Sequence, residues 1–100
     1  MIVVKGEVRV KPDRQDEVIG ALHGLIESTR TEEGCDAYVF ARDVADPNLV
    51  HVFEQWAGEE ALNAHMAAPH LAEFMTAAAG AVESASFTRY DVSGTRSLLG

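Results

Sequence analysis

The sequence predicts an α+β domain in which an antiparallel four-stranded sheet carries helices on one face. Alternating segments rich in valine or aromatic residues, typical of strands, occupy residues 2–10, 35–44, 49–56 and 84–92. Segments with apolar residues at helical spacing separate the first two strands and the last two. The order is therefore strand, helix, strand, strand, helix, strand, for which a ferredoxin-like sheet is the economical arrangement.

The first helical segment follows Pro12 and Asp13, and Asp13 is the predicted N-cap. We expect this helix to end near Thr31, with Gly34 as the residue that breaks it. Its buried face is defined by apolar residues three and four positions apart: Val18, Ile19, Leu22, Leu25 and Ile26.

The second half of the chain repeats this alternation of strands and helices. A turn at residues 45–48 is short enough to make the second and third strands a hairpin. The next helix begins near Gly58, and Pro69 interrupts it and opens a second helical piece. We expect one domain at residues 1–92, followed by a polar tail at residues 93–100.

The second and third strands carry apolar side chains on both faces. Phe40 opposes Val39 on the second strand, and Phe53 opposes Val52 on the third. Because the helices cover one face only, the other face would expose more apolar surface than a monomer usually tolerates. A second copy placed sheet against sheet would cover that face, so we expect a two-fold homodimer.

Composition excludes several classes of partner. Eight Lys and Arg against sixteen Asp and Glu give a net charge of −8, whereas nucleic-acid binding requires a basic face. No apolar run approaches the roughly 20 residues of a membrane span. Lys5, Glu7 and Arg9 interrupt the apolar N-terminal segment, so no signal peptide is predicted and the expected location is the cytoplasm.

Four side chains with functional potential lie near the predicted junction between the third strand and the following helix: Glu54, Trp56, His65 and His70. An indole, a carboxylate and imidazole beside an apolar pocket suit a small aromatic ligand. Structural roles remain open for each of them. Trp56 can anchor the helix, and Glu54 can pair with an arginine on a neighbouring strand (Arg42 or Arg89). His65 can be a hydrogen-bonded core residue, and His70 can be a neutral imidazole that caps backbone or meets solvent.

No metal site or bound cofactor is predicted. His65 and His70 are five positions apart across Pro69, which differs from the i, i+4 spacing of two ligands on one helix. The single cysteine, Cys35, excludes an intramolecular disulfide and a multi-cysteine metal site. The sequence has no glycine-rich phosphate loop and no dinucleotide fingerprint.

Five segments in this order resemble the antibiotic biosynthesis monooxygenase (ABM) family: EGCDAYVF (33–40), DPN (46–48), FEQW (53–56), EALNAH (60–65) and PHLAEF (69–74). The family includes small quinol monooxygenases. The resemblance implies a dimeric α+β barrel and cofactor-independent oxidation of a quinol or polycyclic phenol by O2. It also implies that Trp56 and His65 lie near the pocket. Our hypothesis is that Trp56 positions the aromatic ring and that His65 is the candidate base.

In this interpretation Glu54 is the third candidate catalytic residue. The candidate substrate-binding residues are Tyr38, Phe40, Phe53, His70 and Phe74. The alternatives are a non-catalytic module that binds a small aromatic ligand, a haem-binding relative and an isomerase. Haem-degrading relatives carry an aromatic residue where this chain has His65 and a ligating histidine near Met75, so haem is disfavoured. Few basic residues are available to hold the phosphate of an isomerase substrate.

Overall fold

The computed structural model describes all 100 residues of the chain. The strands are β1 (Ile2–Val10), β2 (Cys35–Arg42), β3 (Leu49–Trp56) and β4 (Val82–Asp91), and the helices are α1 (Gln15–Thr29), α2 (Glu59–Met66) and α3 (Pro69–Ala78). No helix or strand follows Asp91. Pro69 is the first residue of α3, as predicted from the interruption of the second helical segment.

The four strands form one antiparallel sheet in the order β2-β3-β1-β4. The predicted α+β architecture is therefore confirmed. β2 and β3 pair as the expected hairpin, and β1 lies at the centre between β3 and β4. No helix combines the length and apolar character that crossing a membrane requires.

The helices pack on one face of the sheet, and the core lies between the two layers. Alternate residues of β3 point into this layer, so Val50, Val52, Glu54 and Trp56 are all buried. The predicted apolar face of α1 meets them through Val18, Leu22 and Leu25. The main core cluster has 11 buried residues, a small core that is typical of a short domain.

The start of the first helix differs from the prediction. Pro12–Arg14 form a single 3-10 turn, and α1 begins at Gln15, so Asp13 is not the N-cap. Arg14 occupies the cap position without a side-chain cap bond. Its guanidinium instead donates to the carboxylate of Glu17 at 2.7 Å. Glu17 in the first turn of α1 therefore pairs with Arg14, an interaction that the sequence rule for N-caps does not consider.

Gly34 ends the turn between α1 and β2 in a conformation that favours glycine. Its φ is +82°, and a Cβ at this position would lie 2.6 Å from the Cβ of Ala61 on α2. Its carbonyl accepts a hydrogen bond from the backbone N–H of Ala57 at 2.8 Å. The turn that contains Glu32 is therefore held directly against the start of α2.

The face of the sheet away from the helices, here called the open face, carries exposed apolar side chains. Val39 and Phe53 are each 42% exposed, and Tyr90 is 47% exposed. Val39 and Phe53 are opposite each other in the β2–β3 register, so they form one continuous patch.

Candidate functional site

A cavity of about 480 Å³ lies between the sheet and the helices. All 16 residues that line it are hydrophobic, and they include Phe40 of β2, Met66 of α2, and Leu71 and Phe74 of α3. This volume lies within the range of small-molecule pockets, roughly 300–1,000 Å³. Because the lining offers no charged side chain, the cavity suits an apolar molecule of modest size.

A polar cluster lies where α2 meets α3. Oε2 of Glu32 lies 2.9 Å from Nδ1 of His65 and 2.7 Å from Nε2 of His70. Glu32 belongs to the turn after α1, His65 to the last turn of α2, and His70 to the first turn of α3. One carboxylate oxygen therefore joins three elements of the fold.

The hydrogen bonds of this cluster determine which ring nitrogen of each histidine carries a proton. An ionised carboxylate only accepts hydrogen bonds, so His65 donates from Nδ1 and His70 donates from Nε2. A neutral His65 then carries its lone pair on Nε2, for which the structure shows no hydrogen-bond partner. This is the arrangement in which a carboxylate orients an imidazole for use as a base.

Two aromatic side chains fix the ring of His65. The Trp56 ring centroid lies 4.7 Å from that of His65, and Tyr38 approaches the same ring edge-on at 5.2 Å. Trp56 is fully buried, and His65 is 2% exposed. The imidazole is therefore packed on two sides and hydrogen-bonded at Nδ1, so its orientation is tightly restricted.

The carboxylate of Glu54 is buried beside Trp56. The indole Nε1–H of Trp56 donates to Oε1 of Glu54 at 3.0 Å. Burial raises the pKa of Glu54, while the indole hydrogen bond and nearby His65 act in the opposite direction. The predicted ion pair of Glu54 with Arg42 or Arg89 does not form. Glu54 instead accepts the indole hydrogen bond of Trp56, and Arg89 contacts Glu59 and Asp91.

Tyr38 packs against both the cavity wall and the cluster. Its ring centroid lies 5.3 Å from that of Phe40, which lines the cavity, and 5.2 Å from that of His65. Burial raises the pKa of the Tyr38 phenol, and neighbouring Glu54 adds to that shift. Tyr38 therefore stays neutral and contributes an aromatic wall between the two regions.

Seven of the eight residues expected at the site lie either in the polar cluster with its aromatic packing or in the cavity wall. Glu54, Trp56, His65, His70 and Tyr38 belong to the polar cluster and its aromatic packing. Phe40 and Phe74 line the cavity.

Phe53 lies apart from both groups. The alternation of β3 places it on the open face, opposite in direction to Glu54. Trp56 does not line the cavity either, because its ring is buried against His65. We expected Trp56 to contact the aromatic ring of the substrate directly. Its place in the structure instead allows it to position His65.

Glu32 is the functional residue that sequence reasoning missed. It is 33 positions from His65 and 38 from His70, and no local spacing connects it with them. The sequence signal that could have pointed to Glu32 is its place two residues before Gly34. The backbone conformation of Gly34 places this turn against α2.

The fold defines a small α+β protein with an apolar cavity between its sheet and its helices. The chain belongs to the antibiotic biosynthesis monooxygenase family, whose sequence model matches residues 1–77.

Three relatives illustrate the relationship. The chain is 39% identical over 74 residues to the uncharacterized protein sll1783 of Synechocystis, a match that covers 74% of this chain and 50% of that protein. It thus spans about half the length of this relative. It is 29% identical over 75 residues to YcnE, a candidate monooxygenase of Bacillus subtilis, covering 75% of this chain and 79% of YcnE. A solved structure from Deinococcus radiodurans, 22% identical, covers 100% of both chains with a TM-score of 0.92 and shows the same fold.

Glu54→Gln should make the protein more stable near neutral pH. A carboxyl group whose pKa is raised by folding binds its proton more tightly when folded, so its contribution to stability is lost as the pH rises through the folded pKa. The amide keeps an oxygen that can accept the Trp56 hydrogen bond but has no charge to bury. Urea unfolding of both proteins across pH should show an advantage for Glu54→Gln that closes below the ordinary glutamate pKa of 4.5. An advantage that grows towards acid pH would contradict this assignment.

Proposed function

We propose that the protein is a cofactor-independent monooxygenase that oxidises a quinol or polycyclic phenol with O2. The observation that carries the proposal is the cavity of about 480 Å³ with its wholly hydrophobic lining. An uncharged fused-ring substrate matches this lining, and burial of its apolar surface would supply the binding free energy. Membership of the ABM family supports the choice of oxygenation as the reaction.

His65 is the proposed base. Its Nε2 lone pair removes the phenolic proton, and the resulting electron-rich anion transfers electrons to O2. One oxygen atom enters the ring and the other leaves as water, so a quinol becomes a hydroxyquinone and no external reductant is required. Glu32 keeps the Nδ1 proton of His65 in place, and Trp56 holds the ring.

The substrate hydroxyl is proposed to lie at the Met66 end of the cavity. Met66 lines the cavity and directly follows His65 on α2. Its side chain is 65% exposed and flexible, so it can move aside as the hydroxyl approaches the imidazole. Phe40 and Phe74 are proposed to contact the aromatic rings of the substrate.

A second candidate function is binding of a small aromatic molecule without turnover. The observation that favours it is the absence of any polar side chain from the cavity lining, which leaves His65 outside that lining. Haem-binding and isomerase functions receive no comparable support, because no histidine or basic residue lines the cavity.

The proposed oxygenase should consume O2 with a hydroquinone or polycyclic phenol in the absence of added cofactor. His65→Gln should lower kcat by about 100-fold or more, because positioned general bases contribute roughly 10²–10⁴-fold. The measurement is oxygen-electrode uptake over a substrate panel, after subtraction of autoxidation.

Ala79→Trp, which fills part of the cavity, should raise KM.

Two matched controls accompany this experiment. His23→Gln changes an exposed histidine of α1 and should leave uptake unchanged. Ala77→Trp adds the same bulk as Ala79→Trp near the same end of α3, at an exposed position outside the cavity lining. Saturable ligand binding without O2 uptake would replace the oxygenase proposal with the binding module. Uptake that is equal in the wild type and His65→Gln would remove His65 as the base.

We propose further that the open face pairs with the open face of a second copy to form a homodimer. Phe53→Glu would place a charge in the middle of the exposed apolar patch and should convert the dimer into a monomer. Sedimentation equilibrium measures the mass. Val44→Glu, in the exposed turn after β2, is the control and should leave the dimer intact. A wild-type protein that is monomeric at micromolar concentration would contradict the proposal.

A further inference from the structure

The two histidines and Glu32 form a constellation with the chemistry of a metal site. We propose that Glu32, His65 and His70 bind a divalent first-row transition-metal ion, for which zinc is the best match. Each residue offers one ligand atom, and the three atoms lie within 4.8 Å of one another. The nitrogens that face the carboxylate of Glu32 are Nδ1 of His65 and Nε2 of His70. Sequence spacing argued against such a site because it considered the histidines alone.

The donor set selects the class of ion. Two imidazole nitrogens and one carboxylate oxygen are typical of zinc sites with three protein ligands, which leave one position for water or another molecule. Calcium and magnesium prefer shells made of oxygen, so they match this set poorly. Zinc also has no redox chemistry of its own.

The metal-free geometry is close to what coordination requires. Zinc–ligand distances of about 2.0–2.1 Å at tetrahedral angles place neighbouring donors roughly 3.3 Å apart. The carboxylate oxygen of Glu32 lies 2.9 and 2.7 Å from the two nitrogens, so it must withdraw by only about half an ångström. The ring of His65 is already held by Trp56 and Tyr38. One of the three ligands is therefore already oriented, which lowers the ordering cost of binding.

The electrostatic surroundings also favour a cation. Both ion-pair partners of Glu32 are histidines, so no Lys or Arg competes for its carboxylate. The side chains of Glu32 and His70 are 15% and 26% exposed, which provides access from solvent. A net charge of −8 raises the concentration of cations near the protein.

Metal binding has a consequence for His65 that rests on the proposed function. A neutral imidazole bound through Nδ1 carries its proton on Nε2, so that nitrogen becomes a donor. The same ring cannot then remove a phenolic proton. Zinc should therefore inhibit oxygenation by occupying the base.

The test is titration of the chelator-treated full chain with Co²⁺, followed by visible absorption, and then competition with Zn²⁺. We expect one Co²⁺ per chain with visible bands that one equivalent of Zn²⁺ abolishes. Glu32→Gln and His70→Gln should each weaken binding by at least about tenfold, since even the loss of an outer-shell partner costs 10–100-fold. His51→Gln removes the imidazole that contacts Asp43 at 2.7 Å and should leave binding unchanged.

Absence of saturable Co²⁺ binding by the wild type would overturn the proposal. Equal weakening in His51→Gln, or no weakening in both ligand variants, would overturn it as well. A zinc-dependent rise in the melting temperature of the wild type is a second readout that requires no variant. These measurements use no aromatic substrate, so failure of the metal site is distinguishable from failure of the oxygenase proposal.

Discussion

One carboxylate oxygen connects the parts of the fold that define the candidate site. Oε2 of Glu32 accepts hydrogen bonds from His65 and His70, on either side of the break between α2 and α3. Hydrogen bonds to charged groups contribute roughly 1.5–3 kcal/mol, and a buried donor left without a partner costs about 1–3 kcal/mol. The Nδ1–H of His65 therefore depends on Glu32, and the orientation of the two helices depends on both contacts.

The same interaction links the polar cluster to the apolar cavity. Met66 and Leu71 follow the two histidines directly in sequence and line the cavity. Tyr38 packs against both His65 and Phe40 of the cavity wall. A change in the hydrogen bonds of Glu32 is thus expected to alter the cavity, and a bound molecule is expected to affect the cluster.

Sequence periodicity was sufficient for the architecture because each element is short and strongly patterned. The bounds of β3 follow directly from its alternating residues, and the break at Pro69 follows from proline stereochemistry. The start of α1 was less predictable because Arg14 and Glu17 satisfy each other and Asp13 does not cap the helix.

The candidate site was predictable only in part, because it depends on contacts between distant residues. The alternation of β3 separates Phe53 from Glu54 and Trp56, but it does not state which face meets the helices. Glu32 reaches the histidines only after the turn at Gly34 has folded against α2. Sequence patterns identified the two histidines. Glu32, the carboxylate that determines which of their nitrogens carry protons, could be identified only from the structure.

The most direct test of this account is long-range ¹⁵N–¹H NMR of the histidine rings in metal-free protein near neutral pH. The account predicts that Nδ1 of His65 and Nε2 of His70 each carry the proton that is donated to Glu32. In Glu32→Gln the preference of His65 for this tautomer should weaken. A His65 that carries its proton on Nε2 in the wild type would contradict both the role of Glu32 and the availability of a base.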